Sequence, residues 1–115
     1  MPKQSFIIVR GQYEFNHRYA HAPAEVSYLR NIHRHLFNYE VELEVYHDDR
    51  ELEFIMVKHD IEEYLSRREE NWVDTTSCEQ MAKCIGLYLQ TKHGFERSLT
   101  VSVFEDNENG AKIIM

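Results

Sequence analysis

Residues 33–47 read HRHLFNYEVELEVYH, and their alternation decides the fold. His33, His35, Phe37, Tyr39, Val41, Leu43 and Val45 share one parity, while Arg34, Asn38, Glu40, Glu42 and Glu44 share the other. A period of two sends these sets to opposite faces of an extended chain, so the stretch predicts a half-buried β-strand.

Upstream, Phe6, Ile7, Ile8 and Val9 form a β-prone apolar run, and residues 5–15 read as a first strand in which Gly11 permits a bulge or bend. A polar, irregular stretch separates the two strands. Downstream, Asp48, Asp49 and Arg50 make a turn, and Leu52 to Val57 reads as a short return strand that would complete a hairpin. Asp60 can then start a helix carrying Ile61, Tyr64 and Leu65, with a solvated end from Ser66 to Asn71. Thr76 and Glu79 form a T-x-x-E cap for a second helix, whose face holds Met81, Ile85, Tyr88 and Leu89 and whose stop is Gly94. Leu99, Val101 and Val103 alternate in a further strand, and Asn109-Gly110 predicts a turn before the apolar Lys112 to Met115 run.

The chain has 115 residues, 43% hydrophobic and 29% charged, with four Gly and two Pro, which fits one folded α+β domain over 1–115 and argues against disorder. The formal net charge of -7 is the wrong sign for a broad phosphate-binding surface, so no nucleic-acid partner is expected. A domain this small keeps much of its chain near the surface, a condition that self-association relieves. No apolar run approaches the length of a membrane span and the first residues lack the pattern of a secretory signal; the expectation is a cytoplasmic protein with no membrane partner. Cys78 and Cys84 are six apart in the second helix and point in different directions, so they read as reduced core residues.

His33 and His35 form an H-x-H pair on one strand face, a separation that can bracket one metal ion. Zinc takes neutral imidazole nitrogens and needs a third ligand, and the upstream loop offers His17 and His21. Two partly exposed histidines at the start of a strand are the alternative. The wider pattern resembles a known family. Residues 17–23 read HRYAHAP and residues 32–37 read IHRHLF, with fifteen residues between His17 and His33. This is similar to 6-pyruvoyltetrahydropterin synthase and its bacterial relative 6-carboxytetrahydropterin synthase, in which an H-R-L-P-H-x-P-like segment precedes L-H-G-H. Met56, Val57, Asp60 and Ile61 stand where that family has M-V-x-D-F; Thr76, Ser77 and Glu79 stand where it has P-T-x-E; Val103, Phe104, Glu105 and Asp106 stand where it has V-x-E-T. The central Gly of H-G-H is Arg34 here, the Pro of P-T-x-E is Thr75, and the Thr of E-T is Asp106.

The resemblance implies the tunnelling fold: an antiparallel four-stranded sheet with two helices on one face, three copies closing a barrel and two rings stacking into a homohexamer. It implies Zn2+ on His17, His33 and His35, with His21 as the nonligating histidine of its loop. It also implies that Glu105 holds the adjacent amino and ring N–H donors of a pterin or guanine-like ligand in a site between subunits, where it would face a neighbour's histidines. A solvated turn acid is the other reading of Glu105. The family's chemistry further needs a cysteine just before H-G-H and an Asp-His pair ahead of the second helix. Leu29 stands four before His33, flanked by Tyr28 and Arg30, and the segment from Leu65 to Thr75 holds Asp74 but no histidine, leaving His59 as a stray candidate. The expectation is therefore a protein that binds a pterin, guanine or nucleotide-like molecule without converting it; the alternative is an active zinc-dependent lyase. Arg18, Arg30 and Arg34 suit either an anionic ligand or solvated loop charges.

Overall fold

The odd-numbered positions of residues 33–45 turn to the core as their alternation predicts: Phe37, Tyr39, Val41, Leu43 and Val45 are all buried. The computed structural model describes residues 3–72 and 76–115. The elements run β1 (Ser5–His17), a 3-10 segment (Ala24–Arg30), β2 (His33–Val45), α1 (Phe54–Arg68), a short 3-10 turn (Glu69–Trp72), α2 (Cys78–His93), β3 (Leu99–Glu105) and β4 (Asn109–Ile114). All neighbouring strands are antiparallel, in the order β1-β2-β3-β4. The protein is thus α+β with a four-stranded antiparallel sheet.

Register keeps like parity together. Val9 pairs Val41, Val41 pairs Val101, and Tyr39 pairs Val103, so odd positions of successive strands form one apolar face. Val57, Ile61, Tyr64 and Leu65 of α1 and Met81, Ala82, Ile85 and Leu89 of α2 join those residues in a single core, which places both helices on that face. The Tyr64 and Tyr88 rings stack with centroids 4.5 Å apart, and Lys92 meets Asp60 at 2.8 Å, tying helix to helix. On the opposite face Phe6 and Ile8 are exposed.

Residues 52–57 are not a return strand. The strand β2, their expected hairpin partner, already has β1 on one side and β3 on the other, so neither of its edges is left for them to pair with. Instead α1 starts at Phe54, six residues before Asp60, because the Glu53 side chain caps it by accepting from the Ile55 amide at 2.6 Å. Phe54, Ile55 and Met56 are exposed, so the helical stripe begins at Val57. The cap of α2 is one residue later than T-x-x-E suggests: Ser77 Oγ accepts from the Gln80 amide and Gln80 Oε1 accepts from the Ser77 amide, both at 3.1 Å. Gly94 ends α2 as expected, at φ 116°, with its N–H on the Gln90 carbonyl.

Two turn signals also move. The β3–β4 hairpin turns at Asp106 and Asn107, both in the left-handed region at φ 52° and 59°, while Asn109 and Gly110 lie inside β4. Asp and Asn tolerate that conformation better than other non-glycine residues, which is why the turn forms there. Gly11 makes no bulge; the ladder runs unbroken through the Gly11–Tyr39 pair. Its role is close approach, since a Cβ there would fall 2.2 Å from the Tyr39 hydroxyl. Asp74 and Thr75, placed ahead of the second helix by the sequence comparison, lie outside the described residues. Both cysteines are free, Cys78 buried and Cys84 partly so. Among the described residues no helix is long and apolar enough to cross a membrane.

Candidate metal and ligand site

β1 runs two residues past Phe15 and ends on His17, which pairs directly with His33 at the start of β2. His35 lies two residues on, so all three imidazoles fall on the helix-covered face at one end of the sheet. Their ring centroids are 4.6 Å apart for His17 and His33, 4.6 Å for His33 and His35, and 5.0 Å for His17 and His35. One ring nitrogen from each lies within 4.8 Å of the others.

Each Nδ1 faces an oxygen that can only accept. His33 Nδ1 is 2.7 Å from the Asn31 carbonyl, His35 Nδ1 is 2.6 Å from Asp106 Oδ2, and His17 Nδ1 is 3.4 Å from the Thr76 carbonyl. The proton of a neutral imidazole must therefore sit on Nδ1, and the lone pair is left on Nε2. Acceptors behind the ring that fix the tautomer are the usual surroundings of metal-bound histidine. His17 is 6% exposed and its buried Nε2 has no hydrogen-bond partner. Burial pushes the His17 pKa down, and the neighbouring His33 and His35 add to that effect against the pull of Glu105. The neutral form is the one a metal needs.

Asp106 is a residue that motif reading passed over as a mere departure from E-T. Its Oδ1 accepts from the Leu36 amide at 3.0 Å, its own amide donates to the Leu36 carbonyl at 2.7 Å, and Oδ2 takes the His35 proton. The Leu36 amide and then His35 hold its carboxyl below the ordinary carboxylate range. The only sequence signal was an acid beside Asn at a strand end.

Glu105 ends β3 opposite Phe37, and its parity aims it at the same face. Its Oε1 lies 3.7 Å from His17 Nε2 and its Oε2 lies 3.7 Å from His35 Nε2. Glu105 therefore stands against the histidines of its own chain. A cleft of about 470 Å³ opens beside this cluster, walled by His17 and His33, by Glu105 from the hairpin, by Leu29, and by Thr76 to Gln80 at the start of α2. That size suits a small organic ligand. The buried Thr76 hydroxyl on its wall also lacks a partner.

The other candidates sort by position. His21 and His59 are outside the three-histidine cluster. Arg30 donates to the Ala22 carbonyl at 2.9 Å, Arg34 lies 3.5 Å from Glu14, and Arg18 is on the cleft wall. Leu29 lines it too, and so does Cys78, a thiol that sequence reading assigned to the core. Burial, then Glu105 and Glu79, push the Cys78 pKa up to about 12, so it stays a protonated thiol at neutral pH. No protein-family model matches the chain, and none of the curated proteins matches it.

Proposed function

We propose that this protein is a diverged relative of the 6-pyruvoyltetrahydropterin synthases that holds Zn2+ on His17, His33 and His35 and binds a pterin, guanine or nucleotide-like small molecule without converting it. The observation that carries the reading is the convergence of one ring nitrogen from each of three histidines within 4.8 Å, with every Nδ1 beside an oxygen acceptor. Three neutral nitrogens suit zinc or another borderline transition metal and leave further coordination positions. A bound zinc ion supplies a Lewis acid that polarises an oxygen of the ligand. The chain's own residues supply the cleft, the orientation of the three rings and a carboxylate, Glu105, able to accept from a pair of adjacent N–H donors.

Two observations favour binding over conversion. Leu29 occupies the cleft wall where the resembled family carries its proton-transferring cysteine, and a hydrocarbon moves no proton. Cys78 reaches the same cleft from α2, but burial keeps it a thiol. Self-association into the family's homohexamer is part of the proposal. It is supported by Phe6 and Ile8 exposed on the uncovered sheet face and by β1 and β4 standing at the sheet edges, which pairing between copies would cover.

The test has two parts. Purified protein should contain zinc at one ion per chain, and changing His33 and His35 together to alanine should remove it while far-ultraviolet circular dichroism is unchanged. Mass spectrometry of small molecules released on denaturation should find an unaltered pterin or purine compound. Turnover of dihydroneopterin triphosphate by the zinc-loaded protein would overturn the non-catalytic reading in favour of a lyase.

A further inference from the structure

Glu105 directs both carboxylate oxygens at nitrogens of the three-histidine cluster. In the neutral form a metal requires, with the proton on Nδ1, His17 Nε2 and His35 Nε2 present lone pairs, and each faces a Glu105 carboxylate oxygen 3.7 Å away. That is beyond hydrogen-bonding distance, and acceptor facing acceptor repels. Buried or half-buried lone pairs aimed at one another are stabilised by a positive charge placed among them. The distance is informative as well. Two ligands about 2.0–2.1 Å from a tetrahedral zinc ion stand roughly 3.3–3.5 Å from each other; each Glu105 oxygen is 3.7 Å from a different imidazole nitrogen, near that edge length for one pair, so one oxygen must turn inward to complete the shell.

The backbone makes this placement firm. Asp106 is clamped to both the amide and the carbonyl of Leu36, so the residue before it is pinned beside β2, next to His35. Parity then directs the Glu105 side chain to the histidine face, and its two oxygens divide between two imidazoles.

We propose that Glu105 is the fourth ligand of the metal, closing the coordination shell of His17, His33 and His35 when no small molecule occupies the cleft. This rests on the three-histidine reading and deepens it. The same oxygens are the acceptors for a ligand's paired N–H donors, so metal and ligand compete for one carboxylate. Arrival of a donor pair draws Glu105 off the ion and leaves a position for an oxygen or nitrogen of the ligand. A closed shell in the empty protein fits a binding role, because it denies that position to water.

Cobalt substitution tests this directly. Full-length protein loaded with one Co2+ per chain should show the visible absorption of a four-coordinate site, and added azide should leave it unchanged. In Glu105→Gln, which keeps the side chain's shape, and in Glu105→Ala, the freed position should take up azide with a shift of the visible bands. Zinc affinity measured by chelator competition should fall by about 10-fold or more. If the wild-type spectrum responds to azide as the variants do, or if zinc affinity is the same in all three proteins, Glu105 is no ligand and the three-histidine site stands alone. If the wild-type protein takes up neither Co2+ nor Zn2+, the three-histidine reading fails and this proposal with it.

Discussion

The two ends of the β1–β2 pair both carry polar clusters and use them in opposite ways. At the end where Ser5 meets Val45, Arg97 reaches in from the loop after α2. Its Nε donates to the His93 carbonyl at 3.0 Å, Nη1 to the Glu44 carbonyl at 2.9 Å and Nη2 to Glu51 at 2.6 Å, and the guanidinium lies 4.4 Å from the Tyr46 ring centroid. Each of the three Arg97 nitrogens there meets an acceptor. At the end where His17 meets His33, the neutral imidazoles spend their donors on the far side of each ring and turn acceptors toward Glu105. A saturated cluster fastens the fold, whereas an end left with convergent lone pairs is built to receive something. Convergence is what matters: the His93 Nε2 is also buried without a hydrogen-bond partner, but His93 lies outside the three-histidine group, among the charges of Lys92, Arg97 and Asp60.

This contrast can be broken most severely at Asp106. Changing it to asparagine keeps a residue suited to the left-handed turn but removes the carboxylate behind His35. Zinc affinity measured by chelator competition should drop roughly 10–100-fold, with little change in the melting temperature of the metal-free protein. Equal affinity would mean that Asp106 belongs to the turn alone. The reciprocal change is Arg97→Ala at the saturated end. Its side chain is 11% exposed, and its removal leaves two carbonyls and Glu51 without their donor. The melting temperature should fall by roughly 5–10 °C while zinc stoichiometry holds. Loss of metal in Arg97→Ala would show that the two ends are coupled rather than independent.

Legibility in the sequence followed the same divide between local and distant causes. Alternation over residues 33–45 is a local property, and it gave the strand and its buried face because side-chain direction in a strand depends on parity alone. The stripe of α2 was legible for a similar reason. Residues 52–57 misled because a short apolar run fits either a strand or a helix start, and only the occupation of both edges of β2, by strands 30 residues upstream and 60 downstream, decides between them. In the site, His17, His33 and His35 were legible as a set, and the register that pairs His17 with His33 brings them together. Asp106 and the cleft position of Cys78 were not. Their partners lie across the hairpin and at the start of α2, and neither spacing nor composition encodes that approach.

The smallest effect distinguishing the two ends is a pH dependence of the metal-free protein. Burial, then the charges of Lys92 and Arg97, lowers the His93 pKa, opposed by Asp60. In the unfolded chain the same imidazole titrates near 6.5. As pH falls through that value the unfolded state takes up its proton first, so stability is intact above about pH 6.5 and declines below it until the depressed folded pKa is reached. His17 acts with the same sign at the other end. The melting temperature should therefore fall by a few degrees between pH 7 and pH 5. His93→Leu should reduce that slope without altering zinc uptake at pH 7, since its ring makes no part of the three-histidine cluster. An unchanged slope in His93→Leu would assign the whole pH effect to the histidine end, and saturating zinc, which binds only neutral imidazoles, would then steepen the loss of stability on acidification as the metal is released.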